Sequence, residues 1–593
     1  MQLQARPCPN PAILNTNSLH PTPLIHRILA TRGLQSSDDL QFSLRQLHPV
    51  STLAGVQQAA QLLAQAITEQ RTILIVGDYD ADGATATAVT VRALRMMGHQ
   101  AVHFLVPDRF KYGYGLTPDI VKLAEAFQPW LLMTVDNGVS SIEGVAAAKA
   151  LGYKTLITDH HLPGEHLPDS DVMVNPNQPG DTFPSKMLAG VGVVFYVMLA
   201  LKQALLKRNY FAQNGLAEPN LTRLLGLVAL GTVADVVPLD ANNRILVEQG
   251  LRRIRAGQCQ AGIQALLQSA GRKPQRVVSN DFGYACGPRL NAAGRLSDMS
   301  IGIRCLLTDD WQEALQLATQ LNQLNNERKR IEADMKDDAE QIILSLGFDN
   351  HSSDLPPIMC LHQADWHEGV IGILASRIKE RYYRPTIVFA NAEDGLVKGS
   401  ARCIEGLHMR DLIDEVATLN PGMISRFGGH AMAAGLSLPA HRLDDFSKAI
   451  THAVKRHLKP DTFNEVLFTD GELSPEDMTL EIAEQLRDIA PWGQWFPEPQ
   501  FSGYFRIHQL RILKDVHVKA ELFPLKQVNG LTGNMSNTIS HIDGNIDAID
   551  FFADLASWPA MGEVVHLLYR LNVNEFRGKR SLQLMVEQVL EPH

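Results

Sequence analysis

Short apolar runs alternate with helical patterns along the chain from about residue 70. The run TILIVG precedes the helical stretch ATATAVTVRALRMMG, and the alternation continues through AVHFLVP, TPDIVKLAEAF, WLLMTVD, SSIEGVAAAKALG and KTLITD. This alternation is typical of βαβ units, in which helices cover a parallel sheet. The sequence therefore predicts an α/β fold with a parallel sheet in this part of the chain.

Acidic residues and histidines stand where these predicted strands end. Three aspartates at alternate positions follow the first strand, one aspartate follows WLLMTV, and DHH follows KTLIT. One more aspartate stands within the apolar segment LLGLVALGTVADVVPL. In chain order these residues are Asp78, Asp80, Asp82, Asp136, Asp159, His160, His161 and Asp235. Open parallel sheets bind ligands beyond the carboxyl ends of their strands, so we expect these separate segments to converge there.

The pattern changes to one long helix between Thr308 and about Leu346. Its apolar residues, such as Leu317, Leu321 and Met335, are spaced by threes and fours, and this stretch of sequence has no proline. At 1.5 Å per residue the helix spans roughly 55 Å, which is long enough to connect two domains. The proline-bearing HSSDLPP that follows predicts a domain boundary.

Two further patterns follow the long helix. The segments IMCLHQADW, EGVIGILASRIKERY, PTIVFA and RFGGHAMAAGLSL indicate a second α/β region. After LKPDTFNE the chain alternates apolar and polar residues, as in VVHLLYRLNVNEFRGKRSLQLMVEQV, with a turn at 577–579. This alternation predicts a small all-β C-terminal domain and favours a barrel.

Composition limits the class of protein. The 593 residues are 45% hydrophobic and 20% charged, which is ordinary for globular proteins and predicts two to four domains. The formal charge of −10 neither supports nor excludes nucleic acid as a partner, because a local basic surface and metal ions can still bind a polyanion. The six cysteines form no CxxC pair, so we expect reduced thiols in the cytoplasm and no zinc framework.

The apolar content does not predict a membrane protein. The N-terminal MQLQARPCPNPAIL lacks the apolar core of a signal peptide. The longest uncharged apolar run, Met187 to Leu201, falls short of the roughly 20 residues that span a bilayer. We expect this run to form a buried helix.

The three alternate aspartates raise a question of charge. Carboxylates this close repel one another and are costly to bury, so the arrangement invites a cation. Aspartate and histidine without cysteine suit Mn²⁺ or Mg²⁺ better than structural zinc. A two-metal site holds its ions about 3.5–4 Å apart, activates water and stabilises both oxygens of a phosphoryl transfer. The pattern therefore predicts two divalent ions, Mn²⁺ or Mg²⁺, at the strand ends.

Each of these motifs has an ordinary alternative when taken alone. DYDADG could be an exposed acidic turn or part of an EF-hand, but the twelfth EF-hand position is Val89 instead of glutamate. An isolated DHH is usually a solvated loop, and an isolated Asp136 is usually a helix cap. Their recurrence at strand ends within one βαβ array favours the metal site over these alternatives.

The motifs together resemble a known family. DYDADG, TVDNG, TDHH and GTVADVVPL resemble the four motifs of the DHH phosphoesterase superfamily. PDRFKYGYGL, GPRLNAAGRLSD, DWHEGVIGILASR and SRFGGHAMAAGLSL narrow the resemblance to the RecJ family, the single-strand-specific 5′→3′ DNA exonucleases of bacteria. The match runs from roughly residue 50 to 450 with no departure at a motif position, and is looser at both ends.

The resemblance implies a domain organisation. A parallel-sheet DHH domain and a smaller α/β DHH-associated domain are joined by the long helix around a groove, and an oligonucleotide-binding (OB) fold follows. We expect an N-terminal segment packed on the core, the DHH domain, the connecting helix, the DHH-associated domain and the OB-like domain. Their expected ranges are 1–50, 51–307, 308–350, 351–460 and 461–593.

The resemblance also assigns the site. The family's metal ligands correspond to Asp78 or Asp80, Asp82, Asp136, His160, His161 and Asp235, and all but Asp78 are expected to be catalytic together with His430. The role of Asp78 stays open between direct metal binding and a position behind the ligands.

Several residues are candidates for binding the DNA strand. Arg289, Asn291 and Arg295 stand among small residues, and arginine forks suit phosphate oxygens. Weaker candidates for holding the 5′ end, for which support of the fold is an equal alternative, are Arg109, Ser376 and Arg377.

Two glycine-bearing turns complete the candidates. RFGGH offers backbone amides with Arg426, Gly428, Gly429 and His430 as a phosphate cradle, although only the resemblance favours His430 as a substrate contact over a capping role. The C-terminal hairpin offers basic residues beside an aromatic ring that can stack on bases, with a solvated tip as the equal alternative. Its residues are Arg570, Phe576, Arg577, Lys579 and Arg580.

These observations give one hypothesis and two rivals. The hypothesis is a metal-dependent phosphodiesterase that trims single-stranded DNA from its 5′ end to 5′-mononucleotides. The resemblance implies that the protein acts in DNA recombination and repair. It also implies a monomer in the cytoplasm that does not bind a membrane, with single-strand-binding protein and a RecQ-type helicase as partners. The rivals are a DHH phosphodiesterase of oligonucleotides or cyclic dinucleotides, and a non-catalytic DNA-binding scaffold. The extra C-terminal domain argues against the first, and the intact ligand set argues against the second.

Overall fold

The structure is a computed structural model. It describes residues 2–16, 18–113, 115–348, 355–525 and 545–590, and of residues 109 and 110 only the backbone. The chain divides into two compact units. One consists mainly of Leu3–Asn291, Met299–Thr319 and Leu467–His593, and the other mainly of Ala292–Asp298 and Gln320–Val466. We call them the DHH-barrel unit and the central unit.

A five-stranded parallel sheet lies at the centre of the DHH-barrel unit. Its strands in spatial order are Val102–Leu105, Ile73–Gly77, Leu131–Val135, Lys154–Thr158 and Val172–Val174. The register pairs Gly77 with Val135 and Val135 with Thr158, so the carboxyl ends of three neighbouring strands are level. The predicted parallel sheet is confirmed, and its strand ends bring the polar segments to one edge.

Helices precede and follow these strands along the chain, and some of them pack on the sheet. They are Pro23–Thr31, Val56–Thr68, Ala81–Met96, Arg109–Tyr112, Pro118–Ala124, Ile142–Ala150, Gly190–Lys207, Tyr210–Gln213, Leu225–Ala234, Ala241–Arg255, Ala261–Ser269, Ser279–Asp281, Gly287–Leu296 and Ser300–Leu307. The segment that ends in Asp235 is therefore a helix and not another strand. By length and composition Gly190–Lys207 could cross a membrane, but 67% of it is buried inside the protein. This agrees with the expected buried helix.

The C-terminal part of the same unit is a closed barrel. Its strands in order are Phe501–Leu513, His517–Leu525, Ile546–Phe551, Lys579–Leu590 and Val564–Phe576. Buried and partly exposed residues alternate along His517–Leu525, as expected for a barrel wall. The predicted turn is also confirmed, since Phe576 pairs with Lys579 and both Arg577 and Gly578 have positive φ. Helix Leu480–Asp488 precedes the barrel, and the short strands Gln2–Ala5 and Val466–Thr469 pair with each other.

The central unit has a mixed sheet. The strands in order are Arg426–Gly429, Ala433–Pro439, Leu396–Arg402, Thr386–Asn391 and Met359–His362, and only the last pair is parallel. Helices Ile371–Tyr382, Met409–Leu419 and Leu443–His457 belong to this unit. Phe389 and Phe446 meet edge to face at 5.8 Å in its core.

The predicted long helix runs over Trp311–Ser345, a length of 35 residues or about 52 Å. It begins three residues later than the sequence pattern suggests, because Asp310 accepts a hydrogen bond from the amide of Glu313 and so caps the first turn. The boundary expected at HSSDLPP lies partly outside the described residues.

Candidate metal centre

The turn after strand Ile73–Gly77 positions the first three aspartates. Asp80 caps the helix that follows, because its Oδ1 accepts hydrogen bonds from the amides of Asp82 at 2.9 Å and Gly83 at 3.0 Å. The helix approaches the strand so closely that a Cβ at Gly83 would lie 2.6 Å from the carbonyl oxygen of Asp78. Glycine at this position therefore permits the tight strand-to-helix turn.

Asp82 is buried at the start of that helix. Its two carboxylate oxygens accept hydrogen bonds from the amides of Gly190 at 2.7 Å and Val191 at 2.9 Å, at the N-terminus of another helix. Burial, and next the charge of Asp80, raise the pKa of Asp82 to about 7 in spite of these bonds. The backbone thus fixes the carboxylate in a place where its negative charge is costly.

Asp136 takes up an unusual backbone conformation at the end of the neighbouring strand. Its φ is 63°, and its amide donates to the carbonyl of Thr158 at 3.0 Å. Such left-handed conformations of non-glycine residues are concentrated at functional sites. Burial, and then the charges of Asp82 and other nearby carboxylates, raise the pKa of Asp136 well above its ordinary value. A Cβ at Gly190 would lie 2.5 Å from Oδ1 of Asp136, so a larger residue there would displace this carboxylate.

Asp159 organises the DHH segment, a role that the sequence reasoning did not assign. Its Oδ1 accepts from the amides of His160 at 2.7 Å and His161 at 3.1 Å, and lies 2.7 Å from Nδ1 of His161. Burial lowers the pKa of His161, but the hydrogen bond and charge of Asp159 outweigh it and raise that pKa to about 9. With Nδ1 bonded to a carboxylate, Nε2 is the nitrogen suited to a metal. The sequence signal for this role was the aspartate of the DHH motif itself.

His160 connects the segments. Its Nε2 lies 3.1 Å from Oδ1 of Asp136 and 3.5 Å from Oδ2 of Asp235. Asp235 follows helix Leu225–Ala234, which packs closely on helix Ala81–Met96, since a Cβ at Gly231 would lie 2.1 Å from Oγ1 of Thr85. Burial and the charges of neighbouring aspartates, Asp82 first, raise the pKa of Asp235 well above its ordinary value.

The structure brings the seven predicted ligands into three overlapping groups. Within each group, one donor atom from every residue lies within 4.8 Å of the others. The groups are Asp78, Asp80 and Asp136; Asp136, His160 and His161; and Asp82, His160 and Asp235. Asp136 and His160 each belong to two of these groups, so the three groups form one continuous cluster. Carboxylates and imidazoles without thiols fit Mn²⁺ or Mg²⁺, and their mutual repulsion is the cost that such ions remove.

Among the substrate candidates of the DHH-barrel unit, Asn291 contacts the turn that carries the first ligands. Oδ1 of Asn291 accepts a hydrogen bond from the amide of Ala81 at 2.7 Å, between Asp80 and Asp82 in sequence. Nη1 of Arg289 donates to the carbonyl of Ala285 at 2.7 Å. Arg109 begins helix Arg109–Tyr112, and its side chain lies outside what the structure describes.

The other candidates belong to the central unit. Nη1 of Arg295 donates to the carbonyl of Gly369 at 3.0 Å. Arg377 is engaged by two carboxylates, those of Glu332 at 3.1 Å and Glu380 at 3.3 Å. The predicted RFGGH turn is wrong for its first four residues, because the backbone of Arg426–Gly429 pairs with Ala433–Pro439 as an edge strand. The amide of His430 donates to the carbonyl of Ala433 at 2.7 Å. Arg426, Gly428 and His430 are exposed, so the RFGGH segment presents a basic side chain and a histidine to solvent.

Arg402 is a second residue that the sequence reasoning missed. Its guanidinium donates to the hydroxyl of Ser376 at 3.2 Å, the hydroxyl of Ser400 at 3.1 Å and the carbonyl of Ala401 at 2.8 Å. Within the described residues Arg402 forms no ion pair with a carboxylate, and burial lowers its pKa. An arginine held by neutral groups keeps its charge for an anion. The sequence signal for Arg402 was the small residues beside it in KGSAR, like the small residues beside Arg289.

The C-terminal hairpin uses part of its basic charge within the protein. Arg570 pairs with Glu498 and Glu587, and Arg580 pairs with Glu484. The guanidinium of Arg577 lies 5.2 Å from the ring centre of Phe576, which is exposed at the tip. The tip therefore retains one cation–aromatic pair at the surface.

Comparison with known proteins identifies each part. Models of the DHH family N-terminal domain, the DHHA1 domain and the RecJ OB domain match residues 72–232, 356–456 and 469–588. The single-stranded-DNA-specific exonucleases RecJ of Salmonella typhimurium and Escherichia coli are each 48% identical over 568 residues, covering 96% of this chain and of the relative.

Solved structures agree with this assignment. The crystal structure of RecJ in complex with Mn²⁺ from Thermus thermophilus has a TM-score of 0.78 at 26% identity, covering 100% of this chain and 79% of that one. The complex with Mg²⁺ from the same organism has a TM-score of 0.73 at 25% identity, covering 100% and 78%. From its sequence, its three domains and its fold, the chain belongs to the RecJ family of the DHH superfamily.

Proposed function

We propose that this protein is a single-stranded-DNA-specific exonuclease that acts from the 5′ end and releases 5′-mononucleotides. The observation that supports this function best is the convergence of seven carboxylate and imidazole side chains from four segments at the carboxyl edge of the parallel sheet. Such a centre suits metal-assisted hydrolysis of a phosphodiester, whereas a scaffold gains nothing from burying carboxylates that repel one another.

The proposed ligands are the seven members of the three groups. When bound there, two Mn²⁺ or Mg²⁺ ions supply an activated water and neutralise charge on the phosphate. The chain itself holds the ligands in position: Asp80 by capping a helix, Asp82 by two amide bonds and His161 by Asp159. Because these side chains are fixed before substrate arrives, little reorganisation is needed during the reaction.

Arginines orient the DNA backbone in this proposal. Arg289 lies on the same helical segment as Asn291, whose amide oxygen is bonded to the turn that carries Asp80 and Asp82. Arg402 offers a guanidinium supported by two serine hydroxyls, which is suited to a phosphate oxygen. Further proposed contacts are the side chains of Arg295, Arg426 and His430 and the two glycines of the RFGGH segment.

The proposal extends to the setting in which the enzyme acts. DNA with a free 5′ end arises during recombination and repair in the cytoplasm of bacteria, where a RecQ-type helicase and single-strand-binding protein are the proposed partners. A monomer is sufficient, because all seven ligands come from one chain.

The experiment that tests this function is digestion of single-stranded and duplex DNA labelled separately at the 5′ and 3′ ends, with Mn²⁺ present. We expect immediate release of the 5′ label as a mononucleotide from single strands only, and no release with EDTA. Cleavage of dinucleotides alone would favour the small-substrate phosphodiesterase. DNA binding without any metal-dependent product would favour the scaffold.

A further inference from the structure

Two exposed aromatic side chains lie on segments that pack against the chain around Asp235. Tyr284 is 81% exposed and Trp495 is 66% exposed, and both belong to the DHH-barrel unit that contains the metal centre. Scattered exposed apolar residues are ordinary, but these two are set apart by the places where the fold holds them.

Tyr284 lies on a single π-helical turn, Phe282–Cys286, whose end residues Phe282 and Cys286 are fully buried. Isolated π-helical turns are frequent at functional sites. The next residue, Gly287, packs against the residue that precedes Asp235, since a Cβ at Gly287 would lie 3.0 Å from Cβ of Ala234. Tyr284 is therefore carried by an anchored element that borders the metal centre.

Trp495 lies in a tight turn closed by two hydrogen bonds between Gly493 and Phe496, at 2.9 and 3.1 Å. The rings of Trp492 and Phe496 are buried and stacked at 5.1 Å on either side of it, and the φ of Trp495 is 61°. The structure thus holds two aromatic rings inside the protein and directs the chain so that the third stays exposed. A left-handed tryptophan is a conformation that surrounding contacts must maintain.

Hydrogen bonds connect this turn to both neighbours. The amide of Leu239, four residues after Asp235, donates to the carbonyl of Gln494 at 2.8 Å. The hydroxyl of Ser279, close before the π-helical turn, donates to the carbonyl of Trp492 at 2.6 Å. The first barrel strand begins at Phe501, six residues after Trp495. Trp495 therefore stands on the connection between the DHH part of the unit and the barrel.

A third exposed apolar residue belongs to the same segment. Val236 directly follows Asp235, is 63% exposed and has a φ of 59°, which is rare for a β-branched residue. The chain after Asp235 is thus held in a strained conformation that leaves an apolar side chain in solvent.

We propose that Tyr284 and Trp495 form a stacking platform for unpaired bases of the DNA strand as it passes between the barrel and the metal centre. This inference rests on the proposed function. Aromatic rings stack on every base and so suit an enzyme without sequence preference. Bases in a duplex are already stacked on each other and cannot use the platform. Selection of single strands then comes partly from the platform, in addition to any limit on the width of the groove.

Kinetics of alanine and phenylalanine variants test the platform. With 5′-labelled oligothymidylate and Mn²⁺, we expect Tyr284→Ala and Trp495→Ala each to raise KM about tenfold with little change in kcat, because stacking binds ground and transition states alike. Tyr284→Phe and Trp495→Phe keep a stacking ring and should stay within about twofold of the wild type. The matched control is Leu151→Ala, which removes a 47% exposed side chain before the amino end of strand Lys154–Thr158.

Two further measurements separate stacking from a structural effect. A strand with abasic sites offers no base to stack, so the alanine variants and the wild type should have the same KM on it. In EDTA, oligothymidylate should quench tryptophan fluorescence of the wild type, and Trp495→Phe should lose part of that quenching. Unchanged KM in both alanine variants of an enzyme that digests single strands would overturn the platform alone. A wild type that digests no DNA would overturn the proposed function, while the quenching in EDTA would still test the platform.

Discussion

The metal centre and the RFGGH segment both carry polar residues, but the protein holds them in opposite ways. At the metal centre Asp82, Asp136 and Asp159 are buried, and backbone amides fix the carboxylates of Asp82 and Asp159. In the RFGGH segment Arg426 lies on an edge strand, His430 directly follows that strand, and both are exposed. A buried cluster of like charges needs a cation to be stable, whereas water stabilises exposed charges before any substrate binds.

The comparison predicts that ligand removal has the largest effect. Asp82→Ala should lower kcat by about a thousandfold or more, because the several kcal/mol of transition-state stabilisation that the metal supplies depends on its ligands. Circular dichroism and DNA binding in EDTA should change little. Unchanged turnover in this variant would contradict the metal assignment, and Asp169→Ala, an exposed aspartate on the same domain, serves as the control.

Acid should weaken metal binding at the buried centre. The pKa of His161 is raised to about 9 and that of Asp82 to about 7, so below these values both groups carry protons that a metal must displace. The apparent Kd for Mn²⁺ should therefore fall as pH rises from 6 to 8, by about tenfold per unit from His161 alone. Calorimetric titration of the metal-free protein measures this, and a Kd independent of pH would contradict the protonation of these ligands.

Loss of an orienting carboxylate should have an intermediate effect. Asp159→Asn keeps the shape of the side chain but removes the charge that faces Nδ1 of His161. We expect metal affinity or activity to fall by about tenfold to a hundredfold, with partial recovery at high Mn²⁺ concentration. A fall in activity that Mn²⁺ cannot relieve would point to a structural role instead.

The smallest effects on activity are expected from substitution of the exposed or partly exposed arginines of the central unit. Two of these arginines, Arg402 and Arg377, differ in their hydrogen-bonding partners. Arg402 is held by hydroxyls and a carbonyl, whereas Arg377 is already paired with Glu332 and Glu380. Arg402→Ala should raise KM for single-stranded DNA about tenfold, the order of a hydrogen bond to a charged group, and Arg377→Ala less than threefold. Steady-state kinetics of both variants measure the two KM values. A larger effect of Arg377→Ala would contradict the assignment of Arg402 as the phosphate contact.

The sequence predicts the metal centre better than the substrate contacts for a physical reason. A strand end fixes where Asp80, Asp136 and His161 lie once the sheet is recognised, because parallel strands bring their carboxyl ends to one edge. The role of Asp159 depends on a bond within its own loop, and that of Arg402 on Ser376 from another element. Such partners are set by tertiary packing, which periodicity does not report.

The same limit applies to backbone strain. Hydrophobic alternation predicts the barrel strands and the turn at 577–579. It gives no sign of the positive φ angles at Asp136, Val236 and Trp495, because no glycine or asparagine marks these positions. Their conformations follow from contacts with distant segments, such as the bond of Leu239 to Gln494.

The most direct test of the central claim is a crystal structure of the protein soaked in Mn²⁺, with the metal located by anomalous scattering. We expect two strong peaks among Asp78, Asp80, Asp82, Asp136, His160, His161 and Asp235, with His161 bound through Nε2. Peaks elsewhere, or none at this edge of the sheet, would contradict the claim that these residues form a two-metal centre.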